Sequence, residues 1–465
     1  MAIARLSTLS FTALTLSSIF ITPLVMAGIE NIDSTKGSTL PYQILRNDIA
    51  DNAKAGNMIE IRNGGYGSDM TAHPTRENQF YALTDRGPNA AFTDKIYGKG
   101  KIFPTPEYTP RIGLFEVSED GSIKQLKTIL LKRPDGSLIT GLPNNADMGG
   151  TGETPFDKDG KPIVENMSEP FDKATNPIKL DNFGLDGEGI AALDDGTFWV
   201  SDEYGPHIVH FDQNGVELER INAFVNDQRG TIKLPAEYAN RRPNRGMEGL
   251  AVTPDQKFLI GTMQSTMYHP NKAVKNLDLV RLVTVELATG KTGQYLYKQQ
   301  KAQNSNSGIA ALSNSEFVVI ERDGAFLADN PKAMKRLYRI DLSAATNLEN
   351  IKLTQGLEQH DQLGLTINGQ TLEQAVSTHG WDILAKYNIA PVTKTLAADL
   401  VKSIQYPHDK LEGMWLINPT TIGVINDDDF ATWATKGKLE QKYLDKEQNV
   451  IDANVLYVID NLNLK

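Results

Sequence analysis

Six carboxylates recur at matching places in this sequence. Glu188, Glu248 and Glu412 each precede a glycine and an apolar run, while Asp85, Asp202 and Glu321 each close a second apolar run. Basic residues accompany them: Arg86 and Arg322 follow Asp85 and Glu321, Arg245 lies shortly before Glu248, and Lys410 shortly before Glu412. His207 follows Asp202 and Glu203. Carboxylates in number, with no cysteine in the chain, are the donor set of a hard, oxygen-liganded cation: Ca²⁺ first, Mg²⁺ or Mn²⁺ next. Guanidinium forks beside such an ion suit the oxygens of an anionic ester.

The chemistry needs these residues in one place, and the sequence indicates how. The stretch "LDGEGIAALDDGTFWVSDEYGP" (Leu185–Pro206) aligns with "MEGLAVTPDQKFLIGTMQS" (Met247–Ser265), "SGIAALSNSEFVVIERDG" (Ser307–Gly324) and "LEGMWLINPTTIGVINDDDF" (Leu411–Phe430). A looser copy spans Tyr66–Asn89. Each copy has two short β-branched and aromatic runs separated by Asp, Asn, Pro or Ser, which reads as a buried β-hairpin. Further strand pairs follow, at Arg111–Leu126, His207–Ile221, Leu279–Tyr297 and Arg336–Leu353. Hairpin plus hairpin, repeated at roughly forty to sixty residues, predicts an all-β propeller of five or six four-stranded blades. A strand near Tyr42–Arg46 is expected to complete the last blade beside Asn454–Leu464.

Two segments break the pattern. Pro143–Asn176 is rich in Gly, Pro and Asp and reads as a functional or mobile loop. Residues 357–405 contain "TLEQAVSTHGWDILAKYN" and "TKTLAADLVKSI", whose spacing predicts a helical insertion between the fourth and fifth blades.

If the Leu185–Pro206 hairpin is regular and turns at Asp195, Ile190 faces Val200 and Glu188 faces Asp202, with β-carbons about 5 Å apart. The other hairpins give Ser68/Asp85, Glu248/Thr262, Ser307/Glu321 and Glu412/Asn426. A propeller turns the equivalent end of every inner hairpin toward one channel mouth. The expected metal ligands are therefore Asp85, Glu188, Asp202, Glu248, Glu321 and Glu412. Arg86, Arg245, Arg322 and Lys410 are the expected substrate cations, and Glu188, Asp202 and His207 the expected catalytic groups.

The N-terminal 27 residues carry one charge, Arg5, then "FTALTLSSIFITPLV" and a small-residue site ending at Ala27. This reads as a signal peptide cleaved before Gly28, with the remainder, 28–465, as one domain in the periplasm or outside the cell. No later stretch is long and apolar enough to span a bilayer. Loss of Arg5 takes the formal net charge from −11 to −12. An acidic surface of this kind argues against nucleic acid as a partner and leaves a small anionic ester as the expected one. Oligomeric state has no signature in the sequence.

The stretches "LDGEGIAAL", "GTFWVSDEYGPHIVHFDQNGVELERI", "NRGMEGLAVTPD", "YALTDRGPN" and "KLEGMWLI" resemble the secreted bacterial proteins of the family called esterase-like activity of phytase. The resemblance runs from about Asn63 to the C-terminus and implies a propeller with hydrolase activity on phosphate esters. It marks Asp85, Glu188, Asp202, Glu248 and Glu412 as the family's acids; Ser307 departs from the pattern by replacing a glutamate. The residues themselves leave three readings: a metal-dependent phosphoester hydrolase, a metal-dependent lactonase or carboxylic esterase, and a non-catalytic propeller that binds a ligand or envelope partner around a structural cation. No Gly-x-Ser-x-Gly elbow points to a serine nucleophile.

Overall fold

The structure, a computed structural model, describes residues 28–464; the expected signal peptide lies outside them. Five four-stranded antiparallel sheets are formed among the described residues. Blade 1 runs Asp69–His73, Arg76–Leu83, Arg111–Val117, Ile123–Leu130. Blade 2 runs Gly187–Ala192, Phe198–Asp202, His207–Phe211, Glu217–Asn222. Blade 3 runs Met247–Val252, Phe258–Met263, Leu279–Glu286, Thr292–Lys298. Blade 4 runs Ser305–Ala311, Glu316–Arg322, Lys335–Asp341, Thr393–Asp399. Blade 5 runs Gly413–Asn418, Thr421–Ile425, Val455–Ile459 and, from the other end of the chain, Ser38–Thr39.

The inner strands form a closed ring, each touching the next and the fifth touching the first. This is a five-bladed β-propeller. Its blades bury apolar residues on both faces, which is why the strands read as continuous apolar runs rather than alternating ones. Trp199, Ile208, Leu250 and Leu259 pack blade 2 on blade 3, and Trp415 of blade 5 stacks on Phe80 of blade 1 with ring centroids 4.9 Å apart. The hairpin turns are local chemistry. At Asp194-Asp195-Gly196, Asp195 Oδ1 accepts the Thr197 N–H at 2.9 Å and Gly196 takes φ +86°, a conformation that costs glycine nothing.

The "EG" steps also have a packing reason. A β-carbon on Gly189, Gly249 or Gly308 would meet backbone of the next blade at 2.5, 2.9 and 2.4 Å, so the inner strands pack backbone to backbone at the axis. At the equivalent position blade 1 has Asp69, paired to Leu83 as Gly189 is to Ser201. Its carboxylate accepts the Ile190 N–H of blade 2 at 3.0 Å and the Met414 N–H of blade 5 at 3.2 Å. Asp69 thus ties blade 1 to both neighbours at the axis. Beyond it the other end of the channel is an apolar cavity of about 230 Å³ lined by Met70, Ile190, Leu250, Ile309 and Met414.

Three expectations are corrected. The strand that closes the ring is Ser38–Thr39, paired to Val455 and Leu456; Ile44–Arg46 pairs instead with Ile61–Arg62 outside the blades. The helical insertion lies inside blade 4, between its third and fourth strands, and holds the helices Leu372–His379 and Asp382–Lys386. Its expected last segment is the blade's outer strand, Thr393–Asp399, followed by a short helix, Leu400–Ile404. Consequently the partner of Lys335–Asp341 is that strand and not residues near Leu353. Helical spacing in "TKTLAAD" lost to the free sheet edge, where ladder hydrogen bonds outweigh weak propensity. The Pro143–Asn176 loop contributes one short strand, Thr154–Phe156, laid parallel to Gly98–Ile102 of an insertion in blade 1.

Candidate functional site

A single irregularity, repeated, builds the site. In blade 2, Gly187 pairs with Asp202 and Gly189 with Ser201, so Glu188 is an extra residue in a β-bulge. Blade 3 does the same at Glu248, between Met247↔Met263 and Gly249↔Thr262. Blade 4 shifts register across Ser307, between Asn306↔Glu321 and Ile309↔Val319. A bulge re-aims the side chain it carries. It also changes which residue of the second strand shares that side, because side chains alternate along a strand. In blades 2, 3 and 4 the residue facing Glu188, Glu248 and Ser307 is therefore the next one along, Glu203, Gln264 and Arg322; Asp85 and Asp427 hold the corresponding places in blades 1 and 5, beside Ser68 and Glu412.

Contacts between blades follow this reading. Gln264 Nε2 donates to Glu203 of blade 2 at 3.2 Å and to Glu248 at 2.5 Å. Arg322 donates through Nε to Ser307 Oγ at 2.9 Å and through Nη2 to Glu412 of blade 5, and lies 4.0 Å from Glu248 of blade 3. Lys410 Nζ donates to Asp427 at 2.5 Å and Asp429 at 2.7 Å. Arg86 pairs with Asp186 at 3.0 Å, donates to Asn244 Oδ1 at 2.6 Å and reaches Glu153 of the covering loop at 3.4 Å. Arg245 Nη1 donates to Ser305 Oγ at 3.4 Å.

Of the expected site residues, the structure therefore brings Asp85, Glu188, Glu248, Glu412, Arg86, Arg245, Arg322 and Lys410 to the channel end. Asp202, Glu321 and His207 are elsewhere. Asp202 lies on the other side of its strand and accepts the Asp186 and Gly205 N–H groups, both at 2.8 Å. Burial still pushes its carboxyl up to about 6. Glu321 accepts from Tyr297 Oη at 2.8 Å, Asn304 Nδ2 at 2.7 Å and Lys394 Nζ at 2.9 Å, between blades 3 and 4. His207 is fully buried on the third strand of blade 2, its Nε2 3.1 Å from the Met148 carbonyl. Burial and then Arg220 hold its pKa well below the usual range, so the ring is neutral.

Sequence reasoning missed Asp186, Glu203, Gln264 and Asp427. Asp186 lies two residues before Glu188, Glu203 and Asp427 directly follow Asp202 and Asn426, and Gln264 lies two residues after Thr262; the regular two-residue period used to pair the hairpins passes over the inserted residue that brings the last three in. Lys101, on the blade 1 insertion, was also missed. Its ammonium senses Arg86, Glu153 and Asp186, and burial, then Arg86, lower its pKa.

The carboxylates crowd one another. Burial, then Glu248 and Asp186, raise the Glu188 carboxyl well above its ordinary range. Burial, then Asp427 and Asp186, do the same to Asp85. Glu248 is pushed up to about 8, chiefly by burial and then Glu412, and Glu412 to about 7, chiefly by burial. One cluster has ligand geometry: Asp85, Asp186 and Glu188 place one carboxylate oxygen each within 4.8 Å of the others, a spread that Ca–O distances of about 2.3–2.6 Å accommodate. Asp186 Oδ2 is also the oxygen that pairs with Arg86 Nη2, at 3.0 Å. The donor set fits an oxygen-seeking divalent cation.

Blade 5 carries a second charged network beside this cluster. Lys442 Nζ meets Asp409 at 3.0 Å and Asp429 at 2.7 Å. The turn bearing Asp429 holds three successive non-glycine residues, Asp429, Phe430 and Ala431, at φ +50°, +56° and +58°. Such backbone costs roughly 1–2 kcal/mol per residue and persists only where the surroundings impose it.

Fold and site together define a β-propeller whose channel is acidic at one end and apolar at the other. The family model described as phytase-like, esterase-like activity of phytase, matches residues 61–430, and the chain belongs to that family. A curated relative, an uncharacterized secreted protein of Arthroderma benhamiae, is 29% identical over 308 residues, 56% of this chain and 59% of that protein. Solved structures with similarity include the PQQ-bound aldose sugar dehydrogenase of Streptomyces coelicolor, at 11% identity and TM-score 0.30 over 91% of this chain and 98% of that one. Virginiamycin B lyase of Staphylococcus aureus aligns at 12% identity and TM-score 0.27 over 86% and 97%. No helix among the described residues is long and apolar enough to cross a membrane.

Proposed function

We propose that this protein is an exported, metal-dependent hydrolase of phosphate esters, acting at the acidic end of the channel. The observation that carries the reading is the convergence of Asp85 from the end of blade 1, Asp186 from the approach to blade 2 and Glu188 from the first strand of blade 2, with the Arg86 guanidinium 3.0 Å from Asp186. These three carboxylates would hold the cation, with Ca²⁺ the first choice. When bound, such an ion polarises a phosphoryl oxygen and acidifies water. Arg86, Arg245 and Lys101 flank the same end and would hold the ester's anionic oxygens, offsetting charge that builds in the transition state. Glu248 takes the proton-donor role, since its Oε2 is buried without a partner, while His207, one of the expected catalytic groups, is walled off on another strand. Family membership supports a hydrolase, and the expected leader together with the secreted relative supports export.

The experiment is a calcium-dependence curve on phosphate mono- and diesters, run beside a panel of lactones and carboxylic esters, with chelator-stripped mature protein as the blank. Calcium-restored phosphate release supports the reading. Turnover of lactones alone transfers the same site to the esterase alternative. Binding of calcium with no turnover of any ester would leave a structural-cation propeller.

A further inference from the structure

Blades 2, 3 and 5 supply the channel with the pairs Glu188/Glu203, Glu248/Gln264 and Glu412/Asp427. Blade 4 supplies Ser307/Arg322 at the same two positions, the only blade of the five to set a cation at either of them. We infer that Arg322 is a built-in cation standing where a second metal ion would otherwise sit, so that the channel takes one divalent ion per chain. This rests on the proposed ion at Asp85, Asp186 and Glu188.

The geometry is that of a filled cation site. The Ser307 side chain is smaller than a glutamate's would be there, and its Oγ accepts from Arg322 Nε at 2.9 Å. The guanidinium then reaches Glu412 on one side and lies 4.0 Å from Glu248 on the other. Arg322 is 6% exposed and Glu248 and Glu412 are 1% and 3% exposed, so bulk water does not screen the two acids from one another. The oxygens around the guanidinium, two carboxylates and a hydroxyl, are the ligand types of a hard cation. Glu248 Oε2 remains buried with no partner, an open ligand atom beside the guanidinium. Across the channel, Asp85 and Glu188 receive no hydrogen bond or ion pair from any basic side chain among the described residues, Arg86 being committed to Asp186, Asn244 and Glu153. The channel is therefore half filled by its own arginine and half left for an ion.

The test converts blade 4 into a copy of blade 3. Chelator-stripped wild type and S307E/R322Q are titrated with Ca²⁺ by calorimetry, with bound calcium counted by elemental analysis after gel filtration. Wild type is expected to bind one ion and S307E/R322Q two, while R322K, which keeps the charge, stays at one. Should the double variant fail to fold by circular dichroism, R322Q alone carries the test, again with two ions expected. Two ions in wild type, or one ion in a folded S307E/R322Q or R322Q, overturns the inference alone and leaves the first site standing. No ion in wild type overturns the metal reading as well.

Discussion

Asp202 and Glu203 are neighbours in the chain and serve opposite sides of the same strand end. Asp202 accepts the Asp186 and Gly205 N–H groups within its own blade, whereas Glu203 faces the channel and accepts from Gln264 of the next blade. The loop carrying Asp186 is thereby held by one acid, and the channel is lined by the other.

D202A should accordingly act on stability. It removes two charge-assisted bonds to buried N–H groups, each worth roughly 1.5–3 kcal/mol, so a loss of about 3–6 kcal/mol in urea unfolding is expected. E203Q, at the channel, should cost under about 1 kcal/mol. Equal losses from the two would contradict their assignment to different sides of the strand.

Calcium should bind and stabilise the protein through Asp85, Asp186 and Glu188. At a hundredfold excess over Kd, ligand linkage adds about 2.7 kcal/mol, visible as a rise in Tm that EGTA reverses. D85N and E188Q should each weaken calcium binding by at least about tenfold, because ligand charge sets affinity at such sites. A Tm shift that survives in both variants would place the ion elsewhere.

Asp428 sets an alkaline trend. Burial, then Asp427 and Asp452, push its carboxyl up to about 8, against an ordinary 3.8, and its Oδ2 has no partner. Between these values the folded chain keeps a proton that the unfolded chain releases, so stability falls as pH rises, by at most about 1.4 kcal/mol per pH unit. D428N removes that dependence, and its advantage over wild type should grow steadily from pH 4 to pH 8. In the same turn, A431G should stabilise by up to about 1 kcal/mol by relieving a left-handed alanine.

His207 sets an acid trend of the opposite sign. Its ring is neutral in the fold and titrates near 6.5 when unfolded, so protons bind the unfolded chain more readily and stability falls as pH drops below about 6.5. H207Q keeps a donor toward the Met148 carbonyl and should flatten that fall while ester turnover stays within about twofold. A collapse of kcat in a folded H207Q would return the histidine to the active site.

Much of the fold was legible. The repeated runs around Ile190, Leu250, Ile309 and Met414, with turn residues between them, specify hairpins through local propensity and burial, and their repetition specifies blades of a ring. The residue types of the site were equally plain, because acids, arginines and no cysteine limit the chemistry whatever the fold. Tertiary structure decided the register. One inserted residue at Glu188, and its counterparts at Glu248 and Ser307, exchanges the sides on which the following acids lie, sending Asp202 and Glu321 away from the channel and bringing Glu203 and Arg322 in. A period of two carries no mark of where it slips, since a bulge is selected by how the inner strands of blades 2 to 5 pack glycine against backbone at the axis, and that contact joins residues far apart in sequence.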